Sequence, residues 1–159
     1  MMEVRRISME QLAPLLEEQL QHGRAKLPVT GSSMLPMLRN GCDVVELVPL
    51  DALPVSGDVL FYRRPSGQYV LHRLIRMEDD QTCLMCGDNQ WQRELLRVDC
   101  VMARVERFTH KGKWIHCKEH QGYLLYTKIW TALFPVRRPI IALRRCLGRL
   151  RAILRRRGS

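Results

Sequence analysis

The feature that this sequence most clearly lacks is acidic residues after position 122. Residues 123–159 include ten lysines and arginines but no aspartate or glutamate, whereas residues 1–122 carry 16 basic and 16 acidic residues. The whole formal charge of +10 therefore belongs to the last quarter of the chain. Because the two parts differ so strongly in charge, the globular body and the tail need separate physical explanations.

Long apolar runs are also missing. No stretch of about 18 uncharged apolar residues occurs, and the longest candidate, 123–134, already contains Lys128. The first 20 residues carry four glutamates and lack the apolar core of a secretory signal. We therefore expect a cytoplasmic protein without a spanning helix, in which the six cysteines are free thiols rather than disulfides.

The cysteines lack the spacing of a zinc site, which usually takes two closely spaced pairs of ligands. Cys83 and Cys86 form a CxxC pair, but the nearest second pair, His116 and Cys117, consists of direct neighbours. A thioredoxin-like role would place CxxC between a strand and a helix, whereas this pair lies in a stretch with the composition of a strand. The sequence predicts no metal ion and no cofactor.

Hydrophobic periodicity divides the chain into three parts. Within 1–27, leucines at positions 12, 15, 16 and 20 recur at helical spacing between a capping pattern, Ser8 with Gln11, and a stop signal, Gly23. From 28 to 122 short β-rich runs are separated by glycine, proline and aspartate. These runs cover 43–48, 58–62, 69–77, 81–86, 98–108 and 113–117, with turns predicted at 64–67 and 111–112. The predicted fold class is mainly β, with coiled antiparallel sheets, an N-terminal helix and a C-terminal basic helical tail.

The tail, residues 123–159, returns to helical periodicity. Pro135 and Pro139 predict a break into two helices. The second helix has one apolar stripe, and arginines occupy much of its remaining surface. The stripe consists of Ile140, Leu143, Leu147, Leu150 and Leu154.

A basic amphipathic helix of this kind is typical of binding to an anionic membrane surface, where each cation contributes about 1 kcal/mol. Tyr126, Trp130 and Phe134 would supply aromatic side chains for the interface. Nucleic acid attracts the same charges, but the strict apolar stripe favours a membrane or a partner helix. We expect peripheral binding of 123–159 to the inner face of a membrane and do not expect nucleic acid as a partner.

The candidate nucleophile lies in the segment GSSMLP at residues 31–36. Gly31 lets the backbone approach a substrate closely, and Pro36 stiffens the exit from the turn. Backbone N–H groups at such a turn can point at the oxyanion of a reacting carbonyl. Taken alone, the segment predicts a Ser/Gly turn without a catalytic role.

Several segments in a fixed order resemble the signal-peptidase and SOS-repressor superfamily of serine peptidases. Residues 31–36 resemble the nucleophile motif, residues 57–62 (GDVLFY) the strand after it, and residues 69–75 (YVLHRLI) the strand with the general base. Residues 87–89 (GDN) resemble the acidic box and residues 101–105 (VMARV) the closing strand. The segments span residues 29–108, and their shared order makes the resemblance more specific than any one of them.

The resemblance implies a serine-peptidase site. Ser33 would be the nucleophile and His72 its general base. The endoplasmic-reticulum and sporulation-type branch also has histidine at this position, whereas members with a Ser-Lys dyad have lysine. A serine hydroxyl needs a base to take its proton, and a carboxylate then holds the imidazole in the required tautomer. Asp88 is the acid that the resemblance implies, with Glu94 in reserve. The oxyanion and substrate-binding region would include Gly31, Ser32 and Met34.

The sequence departs from the family pattern on both sides of these motifs. A charged amphipathic helix stands where typical members carry a transmembrane anchor, and Gly31 stands where many bacterial signal peptidases have a hydroxyl residue. Gln90 and Trp91, rather than an acidic run, follow the acidic box. These departures concern secretory signal cleavage more than the Ser-His chemistry. We therefore predict a serine endopeptidase that cleaves a leader- or signal-bearing polypeptide.

Two other functions are compatible with the same segments. A catalytically silent peptide-binding module would keep the fold without turnover. A self-cleaving regulator resembling the SOS repressors fits less well, because those proteins have lysine at the position of His72 and because we find no DNA-reading segment before Ser33.

Overall fold

The computed structural model describes residues 9–157, which form a mainly antiparallel β-sheet with three α-helices. The helices are α1 (Met9–Gln21), α2 (Gln121–Ala132) and α3 (Arg137–Arg157). The strands are β1 (Ala25–Pro28), β2 (Val44–Val48), β3 (Val59–Arg63), β4 (Tyr69–Met77), β5 (Thr82–Cys86), β6 (Glu94–Arg97), β7 (Val101–His110) and β8 (Lys113–His116). Seven strands follow the order β1-β2-β7-β3-β4-β5-β6, and β8 pairs with β7. The predicted mainly β fold with helices is confirmed.

All six predicted β-runs correspond to strands, although their ends shift by up to about three residues. The largest shift is at 98–108, where Val98–Cys100 form a 3₁₀ turn before β7 begins. β1 and β6 were not predicted. Each has four residues, and β6 buries only the side chain of Leu96 at the edge of the sheet. Such short segments contain too few residues for a recognisable alternation.

α1 is the amphipathic helix that the leucine spacing predicts. Leu16 and Leu20 are buried in the main core, and Leu12 packs against it. Leu15 is 56% exposed, so it does not belong to the buried stripe. Ser8, the predicted cap, lies outside the described residues.

Strands β3 and β4 separate two hydrophobic cores. Side chains alternate along a strand, so Phe61 contributes to the main core while Leu60 and Tyr62 contribute to the second. In the antiparallel register Leu60 lies opposite His72. His72 therefore shares a face with Leu60 and Tyr62, whereas Arg73, the next residue, belongs to the opposite face.

The predicted break of the tail into two helices is confirmed. Pro135 lies in a 3₁₀ turn, Phe134–Val136, between α2 and α3. Pro139 is the third residue of α3, so it lies just after the break, in the first turn of the second helix. The N–H groups in the first turn of a helix have no intrahelical partner, and proline is tolerated there.

The aromatic side chains of the tail face the protein. The Tyr126 hydroxyl donates to a carboxylate oxygen of Asp88, and the Trp130 indole N–H donates to the Asp88 carbonyl oxygen. Phe134 packs against a small core cluster formed by β4 and β5. All three aromatic side chains are partly buried against the protein, and the expectation that they lie at a membrane interface stays a prediction.

The exposed apolar side chains of the tail are aliphatic. Leu125 on α2 is 60% exposed and Leu143 on α3 is 62% exposed, whereas Ile141, outside the predicted stripe, is buried. The side chains of Leu150 and Leu154 lie outside the described part of the chain. Among residues 9–157, the structure contains no helix with the length and apolar character needed to cross a bilayer.

Candidate active site

Ser33 and His72 line the same cleft. The cleft has a volume of about 380 Å³, and its lining includes residues 27–34 and residues 68–72. The structure thus brings together the residues that the sequence analysis assigns to nucleophile and base. Within the described residues no hydrogen bond joins their side chains.

The turn that carries Ser33 is anchored in the core beneath it. Met34 is 2% exposed and belongs to the main core together with Leu38. The Leu38 N–H donates to the Met34 carbonyl oxygen at 3.0 Å, which closes a turn directly after Ser33. Ser33 itself is half-buried. Met34, predicted to contact substrate, lines the cleft but serves mainly as the anchor of this turn.

Gly31 and Ser32 are exposed residues at the border of the cleft. Gly31 has a φ of +79°, a left-handed conformation that favours glycine. Its N–H donates to Asn40 Oδ1 at 3.1 Å, so this amide is not a free oxyanion donor. Among the groups that the structure describes, the Ser32 hydroxyl and the Ser33 N–H have no hydrogen-bond partner. These two groups remain available to a substrate oxygen.

Residues 87–89 hold the turn that carries Ser33 in place. The Asn89 N–H donates to the Ser33 carbonyl oxygen at 2.7 Å, and the Asn89 side-chain amide donates to the Ser32 carbonyl oxygen at 3.0 Å. The Asn89 Oδ1 atom accepts a hydrogen bond from Arg144 of α3. At Gly87 a Cβ atom would lie 2.8 Å from the Ser33 carbonyl oxygen and 3.1 Å from Ser33 Cβ. Glycine permits this close approach.

The imidazole of His72 adjoins a chain of polar side chains. His72 is 4% exposed, and its Nδ1 atom lies 3.0 Å from the Tyr62 hydroxyl oxygen. The Tyr62 hydroxyl donates to Oε2 of Glu94 at 2.7 Å. Arg64 donates two hydrogen bonds to Glu94, of 2.5 and 2.6 Å. With Nδ1 engaged in this way, Nε2 is the ring nitrogen of His72 that remains for chemistry.

The protonation states of these groups follow from burial and from their partners. Burial lowers the pKa of His72 to about 4, and the Glu94 carboxylate opposes this shift without cancelling it. Burial alone would raise the pKa of Glu94, but hydrogen bonds from Arg64 and Tyr62 outweigh it and lower that pKa below its usual value. Burial and the Glu94 carboxylate both raise the pKa of Tyr62. Near neutral pH the site therefore holds a neutral imidazole, a neutral phenol and a carboxylate.

Asp88, the predicted orienting acid, belongs to the other side of the sheet. Both of its carboxylate oxygens accept hydrogen bonds from Arg73, of 2.8 and 2.7 Å, and both side chains are fully buried. Arg73 also donates to the Tyr123 hydroxyl at 3.1 Å. Asp88 forms no hydrogen bond or ion pair with His72 within the described chain. This corrects the prediction: Asp88 neutralises Arg73 and does not orient the imidazole.

Glu94, the reserve acid, reaches His72 because of strand register. Its Oε2 atom is 3.6 Å from His72 Nδ1, which is close enough for electrostatic attraction although too long for a direct hydrogen bond. Leu74 of β4 pairs with Met85 of β5, which in turn pairs with Glu94 of β6. Paired residues share a face of the sheet, and His72 shares that face because it precedes Leu74 by two positions.

Tyr62 and Arg64 are site residues that the sequence analysis missed. The position of Tyr62 could have been predicted from the turn at 64–67. If Arg63 pairs with Tyr69 across that turn, Tyr62 lies diagonal to His72 on the neighbouring strand. Arg64 had no such signal. Its partner, Glu94, belongs to the edge strand that was not predicted.

Within residues 9–157, no cluster of histidine, cysteine and acidic side chains is arranged to hold a metal ion, and the CxxC cysteines at 83 and 86 are buried. Comparisons of the chain with protein-family models, with curated proteins and with solved structures gave no match. The chemistry assigned to this cleft therefore rests on its residues and on the motif resemblance.

Proposed function

We propose that the protein is a serine endopeptidase in which Ser33 is the nucleophile, His72 the general base and Glu94 the supporting acid. The observation that carries the proposal is that Ser33 and His72 line one cleft while Nδ1 of His72 contacts the Tyr62–Glu94 pair. The motif resemblance supports the same nucleophile and base. A coiled-sheet fold like that of signal peptidases and SOS repressors is part of the proposal.

The reaction follows from these positions. As the Ser33 Oγ atom bonds to the scissile carbonyl carbon, its proton passes to Nε2 of His72. The Ser33 N–H and the Ser32 hydroxyl stabilise the negative carbonyl oxygen, and the Glu94 charge stabilises the imidazolium. His72 then gives the proton to the departing amine as the C–N bond breaks. Water releases the acyl group from Ser33 by the same proton path.

The free edge of β4 supports an extended peptide as the substrate. Residues 69–72 pair with β3 on one side, while pairing with β5 begins only at Arg73. This half of β4 borders the cleft opposite Leu27 and Pro28 of β1. An extended segment can add there as a β-strand through its main-chain groups. A leader- or signal-bearing polypeptide with an extended cleavage site is the proposed substrate.

The tail supports a peripheral position on an anionic membrane surface, at its cytoplasmic face. Leu143 and Leu147 lie one turn apart on α3 and are 62% and 47% exposed, and Lys128 and Arg138 are exposed cations of the same segment. The ten cations after residue 122 are offset by no acid. Aliphatic side chains can insert at the interface while cations bind lipid phosphates.

Covalent labelling tests the nucleophile. A peptidyl phosphonate reacts with a serine that a base activates, so we expect one adduct, which peptide mapping will locate at Ser33. Ser33→Ala and His72→Ala are expected to lose both the adduct and the cleavage of leader peptides. Ser33→Ala is expected to melt within about 2 °C of the wild type, whereas His72→Ala, which truncates a buried side chain, is expected to fold but to melt lower. Ser66→Ala, which removes an exposed hydroxyl from the 64–67 turn, is the matched control and keeps both.

The same experiment distinguishes an active peptidase from a peptide-binding module without catalytic activity. Wild-type protein that binds leader peptides but gives neither adduct nor cleavage would contradict catalysis and favour the peptide-binding module. Cleavage that survives in either variant would contradict the assignment of Ser33 or His72.

Vesicle sedimentation tests the location. We expect the wild type to sediment with vesicles containing phosphatidylserine but not with pure phosphatidylcholine, and Leu143→Ser/Leu147→Ser to lose most of this binding. Leu53→Ser removes a similarly exposed leucine, 54% exposed, from outside the tail and serves as the control. Binding to duplex DNA with no binding to anionic vesicles would overturn the membrane proposal.

A further inference from the structure

We propose that Tyr62 is a positioning residue that sets the tautomer of His72 and transmits the charge of Glu94 to it. The inference rests on the proposed function, because it concerns the same general base. It goes beyond that function by inserting a phenol between the acid and the imidazole. In this arrangement the carboxylate never touches the ring.

The three distances define the arrangement. The Tyr62 hydroxyl oxygen is 3.0 Å from Nδ1 of His72 and 2.7 Å from Oε2 of Glu94, whereas Nδ1 and Oε2 are 3.6 Å apart. The first two distances are those of hydrogen bonds and the third is not. Tyr62 is therefore the group through which the acid reaches the ring.

The direction of each hydrogen bond follows from counting protons. An ionised carboxylate only accepts hydrogen bonds, and the two hydrogen bonds from Arg64 favour the ionised form of Glu94. The single hydrogen of Tyr62 is therefore donated to Glu94. In the remaining contact Nδ1 of His72 must be the donor, because the phenol has no second hydrogen.

A proton on Nδ1 leaves the lone pair on Nε2. That is the tautomer in which Nε2 can take the proton of Ser33. Tyr62 is itself fully buried, so no bulk water competes for its hydroxyl. The ionisable or charged groups around the ring are Tyr62, Glu94 and Arg64, with Asp88 acting only from a distance.

Nitrogen-15 NMR of His72 tests the proposal directly. In wild-type protein at pH 7, long-range proton–nitrogen spectra are expected to show a protonated Nδ1 and an unprotonated Nε2. Tyr62→Phe keeps the ring in the second core but removes the hydroxyl, and we expect both nitrogen shifts to move toward a tautomer mixture. If the peptidase is active, kcat is expected to fall about 10- to 100-fold in this variant, within the range that general-base catalysis supplies, with KM nearly unchanged.

Tyr123→Phe is the matched control, because it removes another buried tyrosine hydroxyl that belongs to the Arg73 cluster. It is expected to leave both nitrogen signals of His72 at their wild-type positions. The NMR experiment needs no turnover, so absence of protease activity would overturn the proposed function without deciding the role of Tyr62. A wild-type spectrum with the proton on Nε2 overturns the role of Tyr62, even if Tyr62→Phe fails to fold. Unchanged nitrogen signals in a folded Tyr62→Phe protein also overturn it.

Discussion

His72 and Arg73 are consecutive residues of β4 that serve opposite faces of the sheet. His72 contacts the Tyr62–Glu94 pair, whereas Arg73 forms a fully buried ion pair with Asp88. Strand alternation separates the two side chains, so each acid can serve only its own face. Glu94 and Asp88 therefore have different roles, and substitutions at the two positions are expected to have different effects.

Glu94→Gln is expected to reduce catalysis far more than stability. The amide keeps the size of the side chain but removes the charge that stabilises the imidazolium, so kcat for a leader peptide is expected to fall roughly 100-fold. The side chain of Glu94 is partly exposed, and water can replace part of its bond to Arg64. Steady-state kinetics and urea unfolding of the same preparation check both parts. Wild-type kcat in this variant would remove Glu94 from the site.

Asp88→Asn is expected to show the reverse pattern. It leaves the guanidinium of Arg73 charged in a fully buried position, which costs about 3–5 kcal/mol when one partner of a buried pair is removed. Urea unfolding measures this loss. The double variant Arg73→Met/Asp88→Leu, which removes both charges, is expected to regain part of it. A large fall in kcat without loss of stability would restore Asp88 as the orienting acid.

Local motifs in the sequence suggested Ser33 and His72, and the structure has both residues in the lining of one cleft. The run 69–77 has the bounds of β4, and the turn at 64–67 sets its pairing with β3. The place of Glu94 beside Tyr62 and His72 could not be predicted in this way, and the resemblance named Glu94 only as the reserve acid. Glu94 reaches His72 only through the pairing of β5 with β6, and β6 is a four-residue edge strand with one buried side chain.

The orientation of the tail helices could not be predicted from the sequence either. Periodicity identifies an apolar stripe but does not say whether a membrane or the protein itself covers it. Tyr126 and Trp130 face inward because their polar atoms hydrogen bond to Asp88, whose carboxylate also neutralises Arg73. Nothing in the sequence marks Arg73 as buried, since arginine is usually exposed.

The proposed peptidase is expected to keep its activity at a lower pH than a histidine with an ordinary pKa would allow. The base is active when neutral, and burial lowers the pKa of His72 to about 4. The kcat/KM for a leader peptide is therefore expected to stay level from pH 7 to pH 5 and to reach half its maximum near pH 4. A half-maximum near 6.5, the ordinary pKa of histidine, would contradict this burial effect.

The same pKa shift affects stability. Because the folded-state pKa of His72 lies below its unfolded value, unfolded protein binds the proton more readily, and stability falls as the pH drops from about 6.5 to about 4. The full effect is at most about 3 kcal/mol. Urea unfolding across this range should show a shallower decline for His72→Gln than for the wild type. If the free energy of unfolding declines equally in the two proteins, His72 does not contribute to the pH dependence of stability.

Gly87→Ala is expected to displace the nucleophile turn. The new Cβ atom would lie 2.8 Å from the Ser33 carbonyl oxygen, closer than such atoms approach without movement. The hydrogen bond from Asn89 to Ser33 must then lengthen, and we expect kcat to fall at least about tenfold, as for other small misplacements of reacting groups. Gly148→Ala on α3 is the control, since a Cβ there meets no atom within 4 Å. Equal kinetics for the two variants would show that the turn tolerates the displacement.

Truncation at two different points is expected to separate the contribution of the tail to stability from its binding to anionic vesicles. A chain ending at residue 122 loses Tyr123 and Thr127, whose hydroxyl oxygens accept hydrogen bonds from Arg73, and hydrogen bonds to a charged group contribute about 1.5–3 kcal/mol each. We therefore expect this protein to be at least about 3 kcal/mol less stable in urea than the wild type.

A chain ending at Arg144 keeps α2 and the contact with Asn89 but loses six arginines. It is expected to keep most of its stability and to bind anionic vesicles more weakly. Equal stability of the two truncated proteins would mean that α2 does not support the Arg73–Asp88 pair, and that the tail is only an appendage of the sheet.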